Sequence, residues 1–205
     1  MDRTSRQNIA LSYMTSSSCT SVLSLRPILE FMYSDEALKL IESRRSIRSY
    51  KPDMVPDDLI DKVIEAGTFA ATGGGRQSPI IIAVKDRKTR DKLSKLNADI
   101  MGAETDPFYG APLVLIVLAD RSSSTYLYDG SLVMGNLMLA AHALGLGSCW
   151  IHRAKEEFDR PEGKEILKDL GITGDYEGIG HCILGYIDGD VPEAKPRKEK
   201  WSYTI

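Results

Sequence analysis

The 205-residue chain lacks several features that mark specialised classes of protein. Its three cysteines, Cys19, Cys149 and Cys182, are an odd number at wide spacing. They therefore do not predict a disulfide framework and favour a reducing compartment, which we take to be the cytoplasm. The longest uninterrupted apolar run, Leu113 to Ala119, is far shorter than the roughly 18 residues that cross a bilayer. With 26 basic and 29 acidic side chains, the overall charge predicts no binding to nucleic acid or to membranes.

Composition predicts one globular domain behind an N-terminal extension. A hydrophobic fraction of 42% and a charged fraction of 27% are typical of a folded chain. The first residues differ, because residues 3–29 contain no acidic side chain and include a Ser/Thr-rich run from Thr15 to Ser21. This composition fits an organellar transit peptide, a flexible extension or a start codon assigned upstream of Met32. We therefore divide the chain into an extension, residues 1–34, and a domain, residues 35–205.

Hydrophobic periodicity predicts helices and strands throughout the domain. Helices are expected behind Asp35 and Glu36, from Pro56, over Lys88 to Met101, over Asp129 to Leu144 and near Pro161 to Leu170. Strands are expected at Ile80 to Val84, Pro112 to Leu118, Cys149 to Ile151 and Cys182 to Ile187. The helix from Asp129 is apolar on nearly every side, so we expect it to be buried. The pattern predicts an α+β domain with few strands.

Three glycine-rich segments fail the tests for nucleotide-binding motifs. Gly145-Leu146-Gly147 follows a helix and precedes a strand, which is the reverse of the order in a dinucleotide-binding turn. Gly178-Ile179-Gly180 lacks the third glycine, and Gly73-Gly74-Gly75-Arg76 lacks the Lys-Ser/Thr pair of a P-loop. We predict structural turns at all three, with close backbone approach to a ligand as the alternative.

Two basic clusters are conspicuous in a slightly acidic chain: Arg44-Arg45-Ser46-Ile47-Arg48 and Lys195-Pro196-Arg197-Lys198. Guanidinium and hydroxyl donors in one short segment suit a phosphate, although each cluster alone is also typical of a solvated surface. The sequence shows no nucleophile elbow and no recognisable metal-ligand spacing. Anion holders without an evident acid, base or nucleophile suit an enzyme whose cofactor carries the chemistry.

Four segments, in this order, resemble the nitroreductase family of FMN-dependent oxidoreductases. They are Ser43 to Tyr50, Gly73 to Pro79, Asp129-Gly130-Ser131 and Leu139 to Trp150, and they are followed by the basic Lys195-Pro196-Arg197. The resemblance implies an α+β fold with a central, mostly antiparallel or mixed sheet flanked by helices. It also implies an intertwined homodimer with one noncovalent FMN at each dimer interface, and the long apolar helix looks like the helix through which such dimers form.

The resemblance also implies roles for individual residues. Arg44, Ser46 and Arg48, with Arg45 between them, look like the residues that hold the FMN phosphate and ribityl chain and reach the ring. Lys195 and Arg197 look like C-terminal phosphate contacts, and Gly75 and Gln77 belong to the loop along the isoalloxazine. Ile151, His152 and Arg153 match the stretch whose backbone amide faces flavin N5. The chain departs from the family pattern at Gly75, where Asn is common, at Ser78-Pro79-Ile80 after Gln77, and at His152-Arg153, where Glu-Gly is usual.

The implied activity is that of an NAD(P)H-dependent flavoenzyme. Hydride would pass to FMN, and an electron-poor small molecule such as a quinone or nitro compound would then be reduced in a ping-pong cycle. No side chain is assigned as catalytic, because flavin N5 carries the hydride, and His152 is the one candidate general acid. Alternatives are specialised flavin chemistry (dehalogenation, azoline oxidation or flavin breakdown), a non-catalytic FMN-binding or redox-sensing protein, and a globular dimer without a cofactor.

Overall fold

The computed structural model describes residues 35–205, so the interpretations of residues 1–34, including Cys19, lie outside the described residues. The chain divides into two units, Met1–Glu42 and Ser43–Ile205. In the first unit the described residues, 35–42, are helical. The helix expected there is confirmed.

The predicted helices and strands of the second unit all occur, in the predicted order. Its elements are α1 (Asp57–Thr68), β1 (Pro79–Val84), α2 (Arg87–Met101), β2 (Leu113–Asp120), α3 (Tyr126–Ala143), β3 (Gly147–Ile151), α4 (Ala154–Asp159), α5 (Pro161–Asp169) and β4 (Tyr176–Gly185). The short helix α4 was not predicted, because six residues are too few to show a helical period. Helix α3 begins three residues before the predicted start.

Local sequence explains where helix α2 begins and ends. The Asp86 carboxylate accepts a hydrogen bond from the Thr89 amide at 2.8 Å and so caps the first turn. Gly102 ends the helix with a φ of +70°, a left-handed conformation that glycine adopts at little cost.

The strands of the second unit form an antiparallel sheet in the order β1-β2-β4-β3. Strands β2 and β4 are central, and every residue from Leu113 to Ala119 is fully buried. The strand predicted over Pro112 to Leu118 is confirmed, and it is buried on both faces. Strands β1 and β3 form the two edges of the sheet, and at the usual spacing between strands they lie about 14 Å apart.

Gly178-Ile179-Gly180 forms part of central strand β4, so the predicted turn is wrong at this segment. Val117 pairs with Gly180 and Leu118 pairs with Gly178, which leaves Ile179 as the extra residue of a β-bulge. A Cβ on Gly178 would lie 2.2 Å from the carbonyl carbon of Ala154. The glycine therefore allows the start of α4 to pack directly on the sheet. The other two segments do form turns, with Gly74 and Gly145 in the left-handed region.

Within a single chain, helix α3 is buried on one side only, so the expectation that a partner covers its remaining apolar surface stays a prediction. Val133, Met134 and Leu137 are in the core, whereas Tyr128 is 72% exposed and Leu132 is 50% exposed. Within one chain the sheet and α1 cover a single face of the helix. The other face keeps its apolar side chains in contact with solvent, which costs free energy unless a second surface covers them.

Candidate functional site

The first basic cluster runs along the open edge of β3. Ser46 forms a parallel bridge with Ser148, and the Ile47 amide donates to the Ser148 carbonyl at 2.9 Å. The Tyr50 hydroxyl donates to the Ile47 carbonyl at 2.6 Å and stiffens the segment from the other side. Because the pairing is parallel, residues 44–48 run in the same direction as β3, towards Ile151 and the residues after it.

One nitrogen of the Arg44 guanidinium has no hydrogen-bond partner among residues 35–205. This atom, Nη1, is buried, and over the same residues no carboxylate forms an ion pair with it. A buried donor of this kind is expensive unless an acceptor binds it. Arg48 is exposed, and its guanidinium lies 5.8 Å from the centre of the Tyr109 ring. The cluster therefore offers forked donors to an anion.

His142 ties the beginning of this cluster to the C-terminal end of α3. Its Nε2 lies 2.8 Å from the Ser43 hydroxyl oxygen. Burial and the neighbouring cations of Arg44 and Arg45 lower the pKa of the imidazole, so the neutral form is favoured.

The loop that carries Gly75 and Gln77 is fixed by Asp129. This carboxylate is nearly inaccessible and accepts hydrogen bonds from the Gly73 amide, the Ser78 hydroxyl and the Thr125 hydroxyl, each at 3.0 Å. Burial by itself raises the pKa of the Asp129 carboxyl, but these hydrogen bonds outweigh it and the pKa is lowered.

Asp129 belongs to the motif Asp129-Gly130-Ser131, but the sequence alone did not predict a role for it. The available signal was a single acidic side chain on the face of α3 that also carries Val133 and Leu137. A buried carboxylate needs donors, and the loop supplies them.

Two residues of this loop adopt left-handed backbone conformations, Gly75 with a φ of +68° and Gln77 with a φ of +50°. The Gln77 amide donates to the Thr72 hydroxyl at 3.1 Å, and its side chain is exposed. At position 75, where the family pattern has Asn, glycine adopts this left-handed conformation without strain.

The segment after β3 is held by both of its backbone carbonyls. Asn97 donates through Nδ2 to the His152 carbonyl at 2.8 Å, and the Glu157 amide donates to the Arg153 carbonyl at 3.0 Å. Ile151 is buried and His152 is exposed. Arg153 has a φ of +78°, a conformation that costs a residue other than glycine about 1–2 kcal/mol.

The structure brings some of the predicted site residues together and keeps others apart. Residues 44–48 and 151–153 share the β3 edge, but Gly75 and Gln77 lie beside β1, at the opposite edge. The two groups also lie at opposite ends of α3. Ser43, just before the first group, contacts His142, and the loop of the second group is bound by Asp129, about 20 Å away along the helix. Lys195 and Arg197 are in the exposed segment after β4, which starts beside Ser49 through the Asp188 amide.

Comparison with known proteins gives the chain a family. The model of the nitroreductase family matches residues 41–186. A protein of Archaeoglobus fulgidus named NADH dehydrogenase/NAD(P)H nitroreductase is 32% identical over 182 residues, which cover 82% of this chain and 99% of the relative. A Bacillus subtilis protein named FMN reductase (NAD(P)H) is 28% identical and covers 80% of this chain, matched over 70% of its own length.

Solved structures agree with the sequence comparisons. A nitroreductase of Bacteroides fragilis, crystallised with bound FMN, superposes with a TM-score of 0.76 at 27% identity, covering 83% of this chain and 98% of its own. The chain therefore belongs to the nitroreductase family, and the α+β fold inferred from its motifs is confirmed. Among residues 35–205 no group of side chains has the composition of a metal site. No helix in that range has the length and apolar character needed to cross a membrane.

Proposed function

We propose that this protein is an FMN-dependent oxidoreductase that uses NAD(P)H to reduce electron-poor small molecules. The observation that carries the proposal is the buried Nη1 of Arg44, which has no partner among the described residues and which a phosphate group would satisfy. FMN bound in the Bacteroides fragilis structure and the name of the Bacillus subtilis relative support the same cofactor.

We further propose that the cofactor site is completed by a second copy of the chain. In one chain, Arg44 and Gln77 are held at opposite ends of α3. If two copies pair their α3 helices antiparallel about a two-fold axis, the Asp129 end of one helix lies beside the His142 end of the other. That arrangement joins the two halves of the site and covers Tyr128 and Leu132.

The C-terminal segment supports an intertwined dimer. Trp201 is 71% exposed and Tyr203 is 77% exposed, at the end of a stretch without regular secondary structure. Aromatic side chains in such a segment gain by packing on another surface, and interfaces are rich in them. A partner chain supplies that surface, and the same segment would bring Lys195 and Arg197 to the phosphate.

The roles of the chain's residues follow from this placement. Arg44, Ser46 and Arg48 would hold the phosphate and ribityl chain with Lys195 and Arg197, while the loop of Gly75 and Gln77 would line the ring. FMN, when bound, would accept a hydride from NAD(P)H and reduce the acceptor. Ile151 to Arg153 would supply backbone donors to the ring, and the exposed side chain of His152 would contact substrate without being required as an acid.

We also propose the boundaries of the domain and the compartment in which the protein works. Residues 35–205 would form the FMN-binding domain, since the family match begins at residue 41. The thiols of Cys149 and Cys182 are both buried and free, and burial raises the pKa of Cys182, which makes it a poor nucleophile. Free thiols of this kind fit a reducing compartment such as the cytoplasm.

The proposal is tested by adding NADH or NADPH anaerobically to the purified protein. We expect a yellow protein whose flavin absorbance bleaches with one of these donors and returns with a quinone or nitroaromatic. Arg44→Gln should weaken FMN binding more than tenfold, because a charge-assisted contact contributes about 1.5–3 kcal/mol. Arg87→Gln, at an exposed position, is the control and should bind FMN normally. A protein that takes up no FMN would contradict the proposal, and one that binds FMN but is not reduced would indicate a non-catalytic flavoprotein.

A further inference from the structure

Three polar side chains lie beside one another in the core between α2, α4 and β4. Asn97, Glu157 and His181 are all fully buried. Asn97 Nδ2 donates to Glu157 Oε1, and Glu157 Oε2 lies 3.1 Å from His181 Nε2. Placing these groups in an apolar core costs several kcal/mol unless their partners compensate. Their burial therefore calls for a reason beyond packing.

Asn97 links these buried polar groups to the backbone of His152. Asn97 Nδ2 also donates to the His152 carbonyl oxygen at 2.8 Å. The peptide that joins His152 to Arg153 is trans, because the described residues contain no cis peptide bond. In a planar trans peptide the carbonyl and the amide N–H point in opposite directions. Since Asn97 draws the carbonyl towards α2, the Arg153 N–H points away from α2, and within residues 35–205 it has no hydrogen-bond acceptor.

The same segment is held in a strained conformation by several contacts. Arg153 keeps a φ of +78°, and its carbonyl accepts from the Glu157 amide at 3.0 Å. Gly178 allows Ala154 to sit against β4, because any side chain there would meet the Ala154 backbone. A strained residue persists only where its surroundings hold it, and such residues concentrate at functional sites.

We propose that Asn97 is a positioning residue that directs the Arg153 amide towards flavin N5, with Glu157 and His181 behind it. Asn97 would also strengthen this donor, because a hydrogen bond to the carbonyl polarises the peptide and makes its N–H a better donor. The inference rests on the proposed function, since it needs FMN beside residues 151–153. The oxidised flavin offers a lone pair at N5, whereas reduced N5 carries a hydrogen, so this contact favours the oxidised form.

The test compares two variants of Asn97 with a control on the same helix. Asn97→Leu removes the donor, and Asn97→Ser retains a small polar group that does not reach both acceptors. Ser94→Ala removes a different, partly buried hydrogen bond from α2, the one to Asp106, and serves as the control. The measured quantities are the dissociation constants of oxidised and reduced FMN and the midpoint potential of the bound flavin.

We expect both Asn97 variants to bind oxidised FMN up to tenfold more weakly and to bind reduced FMN as the wild type does. A tenfold difference corresponds to a midpoint potential about 30 mV more positive for a two-electron couple. Ser94→Ala should leave the potential unchanged. A purely structural role for Asn97 would weaken both forms equally and leave the potential where it was.

Glu157→Gln keeps the test decisive if Asn97→Leu does not fold. The Gln carbonyl can still accept from Asn97, but the carboxylate that polarises the amide is gone. The potential should shift in the same direction by a smaller amount. Unchanged or more negative potentials in Asn97→Ser and Glu157→Gln would overturn the positioning role. If the wild type did not bind FMN, both the proposed function and the positioning role would be wrong. If NAD(P)H reduced the wild type normally but the variants had unchanged midpoint potentials, only the positioning role would be wrong.

Discussion

Replacing Asp129 by asparagine tests how the loop of Gly75 and Gln77 is held. The carboxylate accepts three hydrogen bonds, from Gly73, Ser78 and Thr125, and is nearly inaccessible. Asparagine keeps an oxygen for the Gly73 amide, but its NH₂ group faces the two hydroxyls, which must turn to accept. Exchanging charge-assisted hydrogen bonds for neutral ones should lower the free energy of unfolding by about 1–3 kcal/mol at pH 7.

The effect of this substitution should depend on pH in a defined direction. The pKa of Asp129 is lowered in the folded protein, so its stabilisation is present above the ordinary carboxyl pKa and is lost as the pH falls through the lowered value. The difference between wild type and Asp129→Asn should therefore be constant near neutrality and shrink below about pH 4.

Urea unfolding of the FMN-free protein measures this difference without a contribution from cofactor binding. Asp58→Asn makes the same chemical change at an exposed position, 3.3 Å from Lys62, and should alter stability by less than about 0.5 kcal/mol. If Asp129→Asn were as stable as Asp58→Asn, or if its deficit did not change at low pH, the role assigned to the carboxylate would be wrong.

Four further predictions concern the dimer, the strained turn, the bulge and the kinetics. Leu132→Glu should yield monomers in sedimentation that have lost FMN, because it places a carboxylate in the proposed interface, and a persistent dimer would contradict that interface. Arg153→Gly should raise the free energy of unfolding by about 1 kcal/mol in urea titrations, since glycine relieves the left-handed strain, and no gain would argue against strain. Gly178→Ala should lower it by about 2–3 kcal/mol, because the added Cβ overlaps the Ala154 backbone, and a wild-type value would exclude that contact. Initial rates should give parallel double-reciprocal lines, and intersecting lines would refute a site shared by donor and acceptor. In His152→Ala, the acceptor should reoxidise the reduced flavin at a rate within about 100-fold of the wild-type rate, and a larger loss would show that a side-chain acid is required.

Local patterns were sufficient to predict most elements and the family. Apolar residues at helical spacing predicted α1, α2 and α3 to within a few residues, and the continuous apolar run predicted the central strand β2. These predictions succeed because periodicity and capping act within a few turns of chain. The motifs around Arg44, Gly75 and Asp129 likewise pointed to the family that the comparisons confirmed.

The failures share one physical cause, which is that they depend on contacts between distant segments. Gly178 and Gly180 have the composition of a turn, but pairing with β2 and the close approach of Ala154 make them part of a bulged central strand. For α3 the sequence showed that nearly every side is apolar, but only the fold showed that the side of Tyr128 and Leu132 is the one left exposed within a single chain.

Sequence by itself determined which residues are proposed to form the cofactor site: the arginines before β3, the glycine-rich loop and the stretch from Ile151 to Arg153. Only the tertiary structure decided where they lie. Antiparallel pairing put β1 and β3 at opposite edges and separated the two halves of the site. Packing of α2 and α4 on β4 brought Asn97 to the His152 carbonyl and set the direction of the next amide. Hydrogen bonds of this kind join residues more than fifty positions apart, so no local pattern in the sequence encodes them.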